Sequence, residues 1–342
     1  MRRHNNLYNK ITDINNIRKA YLDAKKGKGW QNTVKNFELN LEENLLAIQQ
    51  SLINKTFTTS SYKTKIITEP KKREIFVLPF APDRIVQHAL LNVLEPIWDK
   101  LFIFDSYACR KGKGIHKGSS RTMRAVRNNK YCLKMDIKKF YPSIDHDILY
   151  SIVQKKIKCL DTLWLIKDII YSIGGEKNVP IGNFTSQWFG NLYMNEVDQW
   201  LKHQHKIKYY VRYCDDFCVY SNDKKYLHQI AKAVEEYLDK NLKLCFSKCD
   251  VFPVIQGVDL LGYRHFPEYI LLRKSTAKRV KKRLIGLPKL LKKGLINFEQ
   301  FRSSIASTWG WVKWSNSYNL QIKTKLRILM SSILVCPNYG QK

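Results

Sequence analysis

The feature that most limits what this chain can fold into is the stretch KYYVRYCDDFCVYSND, residues 208 to 223. Tyr, Val, Phe and Cys have the composition of a buried strand pair, and Asp215 and Asp216 interrupt it. Adjacent carboxylates repel one another, and taking them out of water is costly unless a cation or hydrogen-bond donors compensate. A hairpin resolves the conflict. Tyr209 to Tyr213 and Phe217 to Tyr220 are expected to pair, with Asp215 and Asp216 at the connecting turn and their side chains emerging at its tip.

A third carboxylate has a similar setting. KYCLKMDIKKFYPSIDHDIL reads as a strand from Tyr131 to Met135 that ends in Asp136, followed by a turn at Pro142. If these strands share a sheet, three carboxylates converge on one of its edges. Oxygen-only clusters of that kind suit Mg²⁺, which keeps waters and takes one or two carboxylates plus substrate phosphates. Two such ions can activate an attacking hydroxyl and neutralise a leaving pyrophosphate, which leaves little covalent chemistry to side chains. No Ser-His-Asp or Cys-His arrangement competes with this reading. An Asp after a strand is, however, most often a turn residue, and the Asp-Asp pair alone is weak evidence.

Charge narrows the partner. The chain has 60 Lys and Arg against 29 Asp and Glu, a formal charge of +31, which points to a polyanion, with nucleic acid the first candidate. With 44% hydrophobic and 12% aromatic residues this is a folded protein and not a basic tail. From Tyr269 onward the only acid is Glu299, so the basic character is concentrated at the C-terminal end. No apolar run reaches the roughly 18 residues of a membrane span, and no apolar signal segment follows MRRHNNLYNK. The 8 cysteines are scattered without a CxxC pair, which fits reduced thiols in a cytoplasm.

Along the chain, ITDINNIRKAYLDAKK and FELNLEENLLAIQQSLINKTF carry apolar residues at helical spacing. SYKTKIITEPKKREIFVLPF reads as a basic hairpin broken at Pro-Lys-Lys-Arg, and APDRIVQHALLNVLEPIWDKLF as a helix with Asp83 near its start. DSYACRKGKGIHKGSSRTMRAVR leads into an Arg-studded helix suited to phosphate, or to a solvated surface. VPIGNFTSQWFGNLYMNEVDQWLKH is a Gly-containing loop opening a long helix. LHQIAKAVEEYLDKNL is another helix, and the segment from Leu242 to Phe266 is rich in strand formers. Beyond Leu271 the chain is basic and mostly helical.

The ordered series MDIKKFY, IGNFTSQ, YCDD, LKLCFSK and LLGYR resembles reverse transcriptases, with YCDD like their YxDD box. The resemblance implies an α+β right-hand polymerase fold. An N-terminal helical extension would span 1–58, fingers 59–130 and about 150–190, an antiparallel-sheet palm 131–149 and 191–270, and a basic helical thumb 271–342. It implies Asp136 and Asp215 as main metal ligands beside Ile137, with Asp216 as third carboxylate, for two Mg²⁺ ions that Mn²⁺ could replace. Lys72 and Arg73, with Lys71 beside them, match residues that hold the nucleotide triphosphate. Tyr141 matches the aromatic that crowds the sugar 2′ position, or else is a core tyrosine. Ile181, Gly182 and Gln187 belong to the same nucleotide pocket. Lys248 matches a motif-D lysine thought to protonate pyrophosphate, or is a surface lysine. Leu261, Gly262 and Tyr263 match the primer grip. Arg273, Lys274, Lys278, Arg279, Lys281, Lys282 and Arg283 would track the heteroduplex backbone. Trp309, Trp311 and Trp314 are expected in the thumb core.

Most retroviral and group II intron enzymes have Gln at the position of Ile181 and Pro at that of Gln187. The pattern IGxxxSQ, with RIVQHAL, YACRKGKGIHKG, FYPSIDH, LLGYR and LLRKSTAKR, resembles instead the reverse transcriptases of diversity-generating retroelements. That resemblance implies copying of a template RNA into cDNA with misincorporation opposite adenine, for mutagenic retrohoming in a bacterial cytoplasm. Expected partners are template RNA, the cDNA/RNA heteroduplex, deoxynucleotides and an accessory variability determinant oligomer, with no membrane. No maturase, DNA-binding or endonuclease extension is expected beyond the thumb. A retron-like or phage-defence enzyme is an alternative, as is a non-catalytic RNA-binding protein on the same fold.

Overall fold

A computed structural model describes residues 3–68 and 72–335. Lys71, Cys336 and the last residues of the expected thumb lie outside the described residues. In chain order the helices and strands are α1 Tyr8–Ile11, α2 Ile14–Lys25, α3 Asn32–Leu39, α4 Leu41–Ile53, β1 Lys63–Ile67, β2 Arg73–Val77, α5 Ile85–Asp99 and α6 Ile115–Asn128. Next come β3 Tyr131–Ile137, α7 Phe140–Ser143, α8 His146–Gln154, α9 Leu160–Tyr171, α10 Phe184–His203, β4 Tyr209–Tyr213, β5 Asp216–Ser221 and α11 Lys224–Leu242. The chain continues through β6 Phe246–Pro253, β7 Val258–Leu260, β8 Tyr263–His265, β9 Ile270–Leu272, α12 Lys274–Lys292, α13 Phe298–Val312, α14 Tyr318–Lys323 and α15 Leu326–Val335. The result is a mixed helix-and-sheet fold with three antiparallel or mixed sheets, ordered β1-β2, β4-β5-β3-β6 and β7-β8-β9.

The chain forms two compact units, 1–111 with 135–208 and 230–249, and 112–134 with 209–229 and 250–342. In the first unit the carboxylate of Asp13 accepts the free N–H groups of Asn15 and Asn16 and so starts α2. Ile17, Ala20, Tyr21 and Ala24 then form the face that packs on α5. The apolar pattern of residues 37 to 57 does not make one helix, because the backbone at Asn40 (φ −126°, ψ 52°) leaves the helical region and separates α3 from α4. Helix α10, the long helix expected after the Gly-containing loop, is buried on most sides. Trp98 is fully buried and lies against Trp188 and Phe189 of that helix.

In the second unit β4 and β5 pair antiparallel with Tyr213 opposite Asp216. β7 and β8 pair with Leu260 opposite Tyr263. Val280, Leu284, Leu287, Phe301, Ile305, Val312 and Leu326 form the core of its helical part, joined by Tyr263 and Leu272 from the small sheet. Trp309 and Trp311 pack on this core as expected, but Trp314 does not. It is 41% exposed, and its ring stacks on His116 at 4.4 Å.

Candidate active site

The aspartate hairpin is tighter than its composition suggests. Only Cys214 and Asp215 form the loop, and Asp216 is the first residue of β5, so Asp215 and Asp216 do not share the turn as expected. Two residues suffice because Cys214 takes a positive φ of 56°, the conformation such short hairpins demand. The buried Arg212 donates from Nη1 to the Cys214 carbonyl at 3.1 Å and holds the turn. Asp215 and Asp216 are both half-buried.

Asp216 has a cation beside it that sequence reasoning did not pick out. Lys134 of β3 brings its ammonium 3.4 Å from Oδ1 of Asp216 and donates to the main-chain carbonyl of Asp259. Burial pulls the Lys134 pKa down, yet Asp216 and Asp259 carry it above its ordinary value, so the residue stays charged. The signal was a lysine inside an otherwise apolar strand, two residues before Asp136, hence on the same strand face.

Leu261 and Gly262, expected in the primer grip, form a tight β7–β8 turn with positive φ at both (59° and 82°), and Tyr263 is the first residue of β8. Glycine is required here because a Cβ would lie 2.9 Å from the Trp311 ring, which stacks on Tyr263 at 5.5 Å. His265 is fully buried. Its Nδ1–H donates to the Val258 carbonyl, and its Nε2 accepts the Ser119 hydroxyl at 2.8 Å, so β8 is pinned to α6. Burial pushes the His265 pKa down to about 4.

Of the expected backbone-tracking residues, Lys274, Lys278, Arg279, Lys281, Lys282 and Arg283 are exposed, while Val280 and Leu284 bury the opposite face. Arg273 is half-exposed and has a protein partner: it occupies the N-cap position of α12, where the chain leaves the small sheet, and its Nε pairs with Asp259 at 2.6 Å. In the basic loop before α6, Arg110 is engaged within the protein: it pairs with Asp99 and donates to the carbonyls of Ile103 and Ser106.

In the first unit Asp136 lies inside β3, which runs on to the buried Ile137 and does not stop at Met135. The Ser247 hydroxyl donates to its carboxylate, and also reaches its carbonyl at 3.2 Å. Lys248 is in strand β6, not in a loop, and strand alternation turns it to the face opposite Ser247. Tyr141 is half-buried on α7, with Gly190 of α10 directly beneath it. A Cβ on Gly190 would come within 3.2 Å of the Tyr141 ring.

Ile181 and Gly182 sit against the basic hairpin. The Phe76 N–H of β2 donates to the Ile181 carbonyl, and Gly182 approaches the same strand so closely that a Cβ would overlap the Phe76 carbonyl oxygen. Lys72 and Arg73 at the head of β2 are exposed, as is Gln187 on α10.

The carboxylates are hard oxygen donors of the kind Mg²⁺ takes. Among the described residues, however, no three His, Cys, Asp or Glu side chains are gathered into a group that could hold a metal ion. Asp136 is engaged by Ser247, and Asp216 by Lys134. The chemistry of the donors fits the ion.

Residues 70–265 match the family described as reverse transcriptase (RNA-dependent DNA polymerase). The chain is 25% identical over 235 residues to protein YkfC of Escherichia coli K12, a match covering 55% of this chain and 61% of YkfC. It is 26% identical over 179 residues to the group II intron-encoded protein LtrA of Lactococcus lactis subsp. cremoris, covering 49% of this chain and 30% of LtrA. With the retron Ec73 reverse transcriptase of Escherichia coli it is 26% identical over 240 residues, covering 65% of this chain and 72% of that protein. The chain thus spans less than two thirds of YkfC and under a third of LtrA.

Proposed function

The chain belongs to the reverse transcriptase (RNA-dependent DNA polymerase) family, and from that premise we propose that it is an RNA-directed DNA polymerase copying template RNA into cDNA. The observation that carries this reading is the family match over residues 70–265, which takes in Asp136, Asp215 and Asp216 together with the primer-grip turn. In this reading those three aspartates, with the backbone at Ile137, hold divalent metal. Two Mg²⁺ ions, when bound, would activate the primer hydroxyl and offset charge on the triphosphate. Lys72 and Arg73 hold the triphosphate, Tyr141 crowds the sugar, and Ile181, Gly182 and Gln187 line the nascent pair. Lys248 serves as proton donor. The exposed bases of α12 track the phosphate backbone, where counterion release favours binding. The division into extension, fingers, palm and thumb belongs to the same reading.

Within the family, the pattern around Ile181 and Gln187 supports a reverse transcriptase of a diversity-generating retroelement, working in a bacterial cytoplasm with an accessory oligomer. A retron-like enzyme is the second reading, favoured by the match that spans 72% of the retron Ec73 reverse transcriptase.

The test is extension of a DNA primer annealed to RNA, with Mg²⁺, by the wild-type chain and by Asp215→Ala. Extension by the wild type and none by the variant is expected; extension that survives the substitution refutes the assigned role of Asp215. Sequencing the products separates the subclasses. Errors concentrated opposite template adenine support the retroelement reading, and an even spectrum supports the retron-like one.

A further inference from the structure

The second unit contains a run of polar contacts that joins the aspartate hairpin to the primer-grip turn. The Lys134 ammonium lies 3.4 Å from the Asp216 carboxylate and donates to the Asp259 carbonyl in β7. The Asp259 carboxylate accepts from Arg273 Nε at 2.6 Å, and the Arg273 main-chain N–H donates to the Gly262 carbonyl at 3.0 Å. Asp216 and Gly262 are therefore connected through Lys134, Asp259 and Arg273, residues far apart in sequence.

The Lys134 side chain is only 13% exposed and that of Asp216 24%, so solvent screens this pair less than an ordinary surface ion pair. Lysine suits the position: a compact charge with three donors can serve a carboxylate and a carbonyl at once. Nothing in the packing of β3 asks for a cation here, since its neighbours Leu133 and Met135 are fully buried and apolar.

We propose that Lys134 is a positioning residue for nucleotide addition: it fixes the Asp216 carboxylate in register with the β7–β8 turn that grips the primer. The inference rests on the polymerase reading above. Its consequence is specific. Loss of the Lys134 charge leaves nucleotide binding intact and slows the addition step, because the primer end and Asp216 are no longer held to one frame.

The experiment is single-turnover primer extension on an RNA template by the full chain, with Lys134→Gln, Lys134→Arg and Arg273→Gln. Lys134→Gln keeps a donor without the charge. It is expected to lower the maximal rate about tenfold while the deoxynucleotide concentration for half-maximal rate stays within about twofold. Lys134→Arg is expected to restore the rate to within about threefold of wild type, since a guanidinium can reach both acceptors. Arg273→Gln leaves Lys134 in place but frees Asp259 from the turn, and should slow addition in the same manner.

A wild-type rate in Lys134→Gln overturns the inference. So does equal slowing in Lys134→Gln and Lys134→Arg with the same fall in denaturation midpoint, which marks a packing role. If Lys134→Gln does not fold, Arg273→Gln decides: unchanged extension overturns the inference, and slowing at constant nucleotide affinity supports it. Wild-type protein that extends no primer refutes the polymerase reading and removes this inference with it.

Discussion

The backbone N–H of Phe76 donates to the carbonyl of Ile181 at 2.8 Å, tying strand β2 of the basic hairpin to the PIGN loop more than a hundred residues later. The contact is possible because the next residue is Gly182, at φ +134°, where a Cβ would sit 2.1 Å from the Phe76 oxygen. Gly182→Ala is therefore expected to push β2 away and to destabilise the fold by about 1–3 kcal/mol. In primer extension it should raise the nucleotide concentration needed for half-maximal rate. Thermal denaturation and extension kinetics check both effects, and a variant neutral in each would contradict the close approach.

Ile181 itself offers only apolar contact where a Gln could hydrogen-bond. Under the retroelement reading, Ile181→Gln should lower misincorporation opposite template adenine, by up to about tenfold for a gain of ~1.4 kcal/mol in discrimination. Sequencing of extension products measures it. An unchanged adenine error rate removes Ile181 as a source of infidelity.

His265 makes stability depend on pH. Its pKa falls from an ordinary 6.5 to about 4 in the folded chain because the ring is buried neutral between Ser119 and Val258. The unfolded chain therefore binds the proton more readily. The stabilisation is fully present above about pH 6.5 and is lost as pH falls toward 4, on the order of 3 kcal/mol in all. Urea midpoints measured from pH 7 to 4.5 should fall for the wild type, and His265→Gln should show a smaller slope over that window.

The exposed face of α12 predicts a salt effect. Lys281→Gln with Lys282→Gln should flatten the plot of log affinity against log salt by about 0.7–0.9 for each phosphate contact removed. Fluorescence anisotropy with an RNA–DNA hybrid reads the slope. An identical slope in the double variant would place the heteroduplex on another face.

Several of the elements proposed for function were legible because their signals are local. The strand formers around Asp215 and Asp216, the strand before Asp136, and the Gly-containing loop at Ile181 are short patterns whose geometry follows from periodicity and turn chemistry. Their limits were local too. Composition could not say that Cys214 would take a positive φ and draw Asp216 into β5, nor that β3 would continue past Asp136 to Ile137.

The sequence by itself determined the family, the exposed basic face of α12, and the existence of the aspartate hairpin and of the strand that carries Asp136, because each depends on side chains a few positions apart. Only the tertiary structure decided which charges meet. Arg273, expected on phosphate, is bonded to Asp259; Lys134, buried in an apolar strand, faces Asp216; Ser247 engages Asp136, and its neighbour Lys248 takes the opposite strand face. Those pairings join residues 14 to 111 positions apart. They are set by how the strands and helices pack, which no short window of sequence contains.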